Sequence, residues 1–212
     1  ASTIRLAPTV RMPFSLKLQN MIAKEAVLPA AVTLLIALGF TSINAFLLVY
    51  AQERGINGAS LFFTVYALTM LFTRPVIGRL TDRYGFVKAG IPSVLATAVS
   101  LVMIGFSTNL PMLLLAAFVN AFGYGAVMPA LQSLCMRAVS LERRGSASST
   151  NYIGQDLATL IGSTTAGYVI AAAGYTPFMW IIMAVPVLLG ILVIFLCRKK
   201  IYKIENNFKS GK

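Results

Sequence analysis

Asp156 is the residue best placed to do chemistry in this chain. Counting from Arg144 at about 1.5 Å per residue puts it roughly 18 Å along a helix, close to the middle of a bilayer. A carboxylate at that depth is costly and marks a functional position. The chain has six acidic residues and no His. The other five acids, Glu25, Glu53, Asp82, Glu142 and Glu205, fall in expected linkers, connections or the tail, so Asp156 reads as the only buried titratable acid. A carboxyl so placed is suited to taking up and releasing a proton, or to holding a cation. It can also hydrogen-bond to a neighbouring helix and simply lock a bundle, and the residues alone leave both roles open.

The residues around Asp156 sort into two faces. Ser148, Tyr152, Asp156, Thr159 and Ser163 share one helical stripe, while Gly154, Ala158, Gly162 and Ala166 recur every four residues on a roughly opposite one. The small residues allow close packing on another helix, and the polar stripe then faces a wet cavity. Asn151 and Gln155 flank the stripe and join Tyr152 as candidates for the cavity wall. Further candidates are Asn44 beside Thr41 and Ser42, Tyr66 beside Thr64, and Asn120 and Tyr124. Tyr124 lies in a Gly123 to Pro129 stretch that weakens its helix, either to line a cavity or only to pack closely.

A second pattern runs Gly78-Arg79-Leu80-Thr81-Asp82-Arg83-Tyr84-Gly85-Phe86-Val87-Lys88. Gly78 allows two helices to approach, Gly85 supplies a turn with positive φ, and Asp82 can accept hydrogen bonds from a helix N-terminus. Arg79 and Arg83 can pair with carboxylates or lipid phosphates. Such a loop either latches one state of a moving bundle or is an ordinary basic connection whose Asp caps the next helix.

The elements that must position these residues follow from composition. Hydrophobic residues make up 58% of the 212 positions and charged residues 11%, whereas soluble domains carry roughly a quarter charged. Uncharged runs long enough to cross about 30 Å of hydrocarbon start at Ala26, Gly55, Ala89 and Leu157. The last two are interrupted by the turn signals Asn109-Leu110-Pro111 and Gly174-Tyr175-Thr176-Pro177, so each divides. Six membrane-spanning helices result, at roughly 28–51, 58–79, 88–107, 110–136, 146–173 and 177–197. Residues 1–25 read as a cytoplasmic linker with a possible short interfacial helix, residues 26–197 as the bundle, and residues 198–212 as a basic cytoplasmic tail, lipid-anchored or disordered. Opening on Ala1 without an initiator Met, the chain looks like a piece of something longer, and no secretory signal precedes the first span.

The net charge of +12 lies almost wholly on one side of this arrangement. Basic residues gather in the linker, the second and fourth connections and the tail, with only Arg54 on the other side. That bias places both termini in the cytoplasm of a multi-pass cell-membrane protein. It also argues against nucleic acid, which would require aromatics interleaved with a basic folded face. Cys135 and Cys197 both fall near the cytoplasmic ends of spans, where reducing conditions oppose a disulfide. No metal or cofactor is implied, because no ligand cluster exists, and no nucleophile and base pair or phosphate-binding loop points to an enzyme.

The Gly78 to Lys88 pattern resembles the signature loop of the major facilitator superfamily, with Arg74-Pro75 ahead of it and Phe86 and Val87 departing from the usual basic positions. The basic linker and Arg143-Arg144-Gly145-Ser146-Ala147 extend the likeness to the second half of its drug-efflux-like members. The resemblance implies an all-α fold in which these six helices are helices seven to twelve, arranged as a 3+3 inverted repeat and forming one half of a twelve-helix transporter. It implies alternating access, with Asp156 coupling to protons or substrate and Gly78, Arg79, Asp82, Arg83 and Gly85 forming the latch. The expected partners are the N-terminal six-helix half (or a second copy), the lipid bilayer, protons and a small-molecule substrate, and the expected activity is efflux of small amphipathic or cationic compounds. A metabolite or sugar symporter on the same scaffold and a non-transporting membrane binding module are the alternatives.

Overall fold

The computed structural model describes residues 22–209, and the described chain is helical throughout, with no strand. A 3-10 turn at Lys24–Ala26 leads into α1 (Val27–Glu53), followed by α2 (Leu61–Tyr84), α3 (Phe86–Phe106) and α4 (Leu110–Arg137). A second 3-10 turn, Leu141–Arg143, precedes α5 (Arg144–Ala173), and α6 (Pro177–Leu196) and a tail helix α7 (Arg198–Lys209) complete the order. Most of the expected interfacial helix falls on residues 1–21, outside the described residues.

Local chemistry sets the helix ends. The Asn109 side chain accepts a hydrogen bond from the Met112 N–H at 3.0 Å, capping α4, and Pro111 occupies its first turn, where a missing N–H costs nothing. Gly174, at φ 69°, stops α5, and Pro177 begins α6. α2 ends only at Gly85, whose φ is 85° and whose N–H bonds to the Thr81 carbonyl.

α1 lies against α5 and α6, α3 against α4 and α6, and α2 chiefly against α4. Small residues make these approaches possible. A Cβ on Gly39 would stand 2.6 Å from Val187 and 2.8 Å from Leu101, so α1, α3 and α6 meet at a position that only glycine fills. At the Arg54 end polar contacts tie α1 to α3, and an aromatic contact adds α6. The Tyr50 hydroxyl donates to the Gly105 carbonyl at 2.6 Å, and Arg54 donates to the Ser107 carbonyl at 3.2 Å. The buried Trp180 ring meets Tyr50 edge-on at 5.3 Å.

Five helices, all but α5 and α7, are long and apolar enough to cross a membrane. α5 has the greatest length, 30 residues or about 45 Å, but its Ser and Thr content lowers its hydropathy. It packs side by side with α1, with Thr150 and Asn151 on the buried side and Asp156 and Thr159 on the exposed one.

Three expectations change. The second helix does not stop near residue 79 but runs five residues further, so most of the Gly78 to Lys88 pattern is helix and only Gly85 is a turn. Charge ends a membrane crossing; it does not end a helix. α4 is continuous through the Gly123 to Pro129 stretch, because Gly123 and Gly125 serve close packing, the first against Ser93 and Thr97 of α3 and the second against Met70 of α2. The tail, expected to be lipid-anchored or disordered, forms α7, which docks with Ile201 and Glu205 buried.

Candidate functional site

α5 divides cleanly between bundle and exterior. Gly154, Ala158, Gly162 and Ala166 are all buried, and Cβ atoms on Gly154 and Gly162 would come within 2.7 Å and 3.1 Å of the Ala30 and Leu38 carbonyls of α1. Asp156 lies two residues from both Gly154 and Ala158, about 200° around the helix, and is exposed on the bundle surface with Tyr152 and Thr159. The expectation that Asp156 is the buried acid is therefore corrected for this bundle: the buried acid among the described residues is Glu205, at 6% exposure. Gln155, beside Asp156, is half-buried, and the Tyr152 hydroxyl accepts from Gln132 Nε2 of α4 at 3.1 Å.

Two candidates for the cavity wall lie elsewhere. Asn151 is fully buried, its Oδ1 accepting from Thr33 Oγ1 at 2.7 Å and facing the Cys135 thiol at 3.6 Å, so it joins α1, α4 and α5. Asn120 is also fully buried and donates to Ser100 Oγ at 2.6 Å between α3 and α4. Both are helix-to-helix fasteners, because a polar side chain inside a bundle is most cheaply satisfied by a neighbouring helix. Asn44 is exposed on α1, one turn beyond Phe40. Tyr66 and Tyr124 are half-buried and brought together through Phe40, which stacks on Tyr124 at 3.8 Å and meets Tyr66 at 5.5 Å. Phe40 had no signal of its own in an apolar run. Only its register, one turn before Asn44, links it to this face.

At the basic end, the last turns of α2 carry the motif. The Asp82 carboxylate does not cap a helix; it accepts from Arg137 at the end of α4 at 2.9 Å. The cap comes from the tail: Glu205 Oε1 accepts from the Phe86 N–H at 2.7 Å, supplying α3 with the N-terminal acceptor its own sequence lacks. Continuation of α2 past Asp82 explains both changes, since it turns Asp82 sideways toward α4 and starts α3 beneath α7. Gly85 adopts the backbone region that favours glycine, and a Cβ there would stand 3.1 Å from Glu205 Oε2. Gly78 makes no close helix contact, with open space where a Cβ would go, because α2 is exposed on that side. Arg79 and Arg83 are exposed, with Arg83 over the Tyr84 ring at 5.4 Å and no carboxylate paired to either among the described residues. Between α2 and α4 a cleft of about 240 Å³ is lined by Arg74, Thr81, Asp82, Ser133 and Arg137.

A bundle of apolar helices with one polar face turned outward, closed by a charged turn at its basic end, is the build of an integral membrane protein. The family model of the Major Facilitator Superfamily matches residues 30–211, and the chain belongs to that superfamily. It is 25% identical over 139 residues to the multidrug efflux pump SdrM of Staphylococcus aureus, covering 66% of this chain and 31% of that protein. It is 30% identical over 165 residues to the multidrug resistance protein MdtG of Proteus mirabilis, covering 74% and 40% respectively. An uncharacterized MFS-type transporter of Escherichia coli, YhhS, is 24% identical over 162 residues, covering 76% of this chain and 40% of its own. The chain thus spans about a third to two fifths of the length of the curated relatives it matches.

Proposed function

We propose that this chain is the C-terminal half of a proton-coupled antiporter in the cell membrane that exports small amphipathic or cationic compounds by alternating access. Its N-terminal partner half contributes the other six helices, and the basic end faces the cytoplasm, in line with the charge bias. The observation that carries this reading is Asp156, an acid midway along α5 and turned away from the α1 contact. An intramembrane carboxylate that its own bundle leaves exposed needs a cavity, and the facing half makes one. Relatives named for multidrug efflux and resistance favour export over uptake.

In this cycle substrate sits against α1, α2, α4 and α5, while Asp156 is alternately protonated and ionised. The Asp82 to Arg137 contact holds the basic end closed in one state and reorganises in the other.

The test is Asp156→Asn in the full-length parent protein, reconstituted in liposomes and assayed for ethidium flux driven by a pH gradient. Flux is expected to fall at least about tenfold while ethidium binding persists. Unchanged gradient-driven flux would sink the assignment.

A further inference from the structure

α6 leaves the apolar zone abruptly. Leu192, Phe195 and Leu196 are exposed on its outer side, where they meet lipid, and a single residue, Cys197, separates them from Arg198-Lys199-Lys200. The Arg198 guanidinium lies over the Phe195 ring at 4.9 Å, which ties the first turn of α7 to the last turn of α6. α7 therefore starts at the depth of the lipid headgroups.

From there α7 is held across the basic end. Ile201 and Glu205 are buried, Tyr202 and Ile204 are half-buried and pack on the same core, and the helix touches α3, α4 and α6. Lys199 and Lys203 stand two residues either side of Ile201, about 200° around the helix, and with Arg198 and Lys200 they are exposed. The one acid of α7, Glu205, is turned inward onto the Phe86 N–H at 2.7 Å. Among the described residues no carboxylate pairs with any of these four cations. Arg83 and Lys88, on either side of Gly85 and Phe86 in sequence, are exposed too. α7 thus presents a run of like charge at headgroup depth, which an anionic lipid surface complements.

Glu205 decides how the helix uses that surface. Released from the bundle, the Ile201 face would carry a carboxylate into the bilayer with no N–H to satisfy it, so α7 does not sink into the membrane as a simple amphipathic helix would. Docked, the acid is satisfied by α3 while the lysines face outward. Membrane charge and docking therefore act in the same direction.

We infer that the exposed face of α7 binds the headgroups of anionic phospholipid, and that this contact holds Glu205 on the first turn of α3. The contact requires only that the bundle lies in a membrane, and neither Asp156 nor the carried compound takes part in it.

The experiment places the full-length parent protein in nanodiscs of phosphatidylcholine, alone or with about 30% phosphatidylglycerol, and follows amide exchange at Phe86 and along α7. In the wild type, phosphatidylglycerol is expected to slow exchange at both at least about fivefold, and salt at about 0.5 M should reduce the effect below about twofold. Lys199→Gln, Lys200→Gln and Lys203→Gln together should remove the lipid dependence while leaving exchange in phosphatidylcholine within about twofold of wild type. Lys199→Arg, Lys200→Arg and Lys203→Arg together should keep it. Both variants meet the same surface pH as the wild type, so a general slowing of exchange beside an anionic bilayer does not mimic the result. Equal exchange in the two bilayers, or a lipid effect that survives the change to Gln, overturns the inference. Polyglutamate added to phosphatidylcholine nanodiscs tests a soluble acidic partner, and slowing as large as that from phosphatidylglycerol overturns the assignment to lipid.

Discussion

The two ends of the bundle are fastened by different chemistry. At the Arg54 end, α1, α3 and α6 are joined by buried contacts: Tyr50 to the Gly105 carbonyl, the Trp180 ring against Tyr50, and Gly105 close to Pro177. At the basic end, the Asp82–Arg137 and Glu25–Arg143 pairs are partly or largely open to solvent, with side-chain exposures of 65% and 21% in the first and 49% and 46% in the second. Exposed pairs contribute little and are screened by salt, whereas buried contacts persist. The Arg54 end is therefore held by buried contacts, and the basic end by exposed ion pairs beside one buried fastening, the Glu205 cap on Phe86.

The contrast is open to attack by substitution in the full-length protein, with thermal unfolding in detergent as the common measurement. Trp180→Ala should cost the most, about 3 kcal/mol or more, because it empties a fully buried site where three helices meet. A loss under about 1 kcal/mol would mean that the Arg54 end is not the rigid one. Glu205→Ala should cost up to about 2 kcal/mol by uncapping α3, and amide exchange at Phe86 should rise with it. If Phe86 exchange is unchanged, the basic end has no buried fastening. Tyr50→Phe should cost about 1 kcal/mol for its single bond to the Gly105 carbonyl, independent of salt. Asp82→Asn should have the smallest effect, below about 1 kcal/mol and vanishing at high salt, while accessibility of the basic end to a thiol reagent increases. A large, salt-insensitive loss from this change would erase the difference between the two ends.

Much of the fold is legible in the residues. The expected helices at 110–136 and 177–197 lie within a residue of Leu110–Arg137 and Pro177–Leu196, because Asn109, Pro111 and Pro177 are local stop and start signals. The Gly154 to Ala166 stripe is equally readable, since a four-residue period of small side chains has one structural use. The turn at Gly85 is readable as well, but the continuation of α2 up to it is not, because Arg, Leu, Thr and Asp are all compatible with helix and charge alone suggested an earlier end. Nor is the placing of Asn120 and Asn151: a polar residue in a membrane helix looks the same whether it faces a cavity or a neighbouring helix, and only Ser100 and Thr33 distinguish the two. The tail helix carries a readable spacing in Ile201 and Ile204, masked by the surrounding lysines. Its acid at 205 has meaning only through a backbone N–H 119 residues earlier.

That separation bears on how the protein is made. A ribosome adding about 5–20 residues per second needs roughly 6–24 s after Phe86 to deliver Glu205. Until then the first turn of α3 has no side-chain acceptor, and Gly85 has no carboxylate beneath it. The turn at the basic end is thus completed only after α4, α5 and α6 have been made, so α7 locks α3 in place later than the neighbouring helices pack on it.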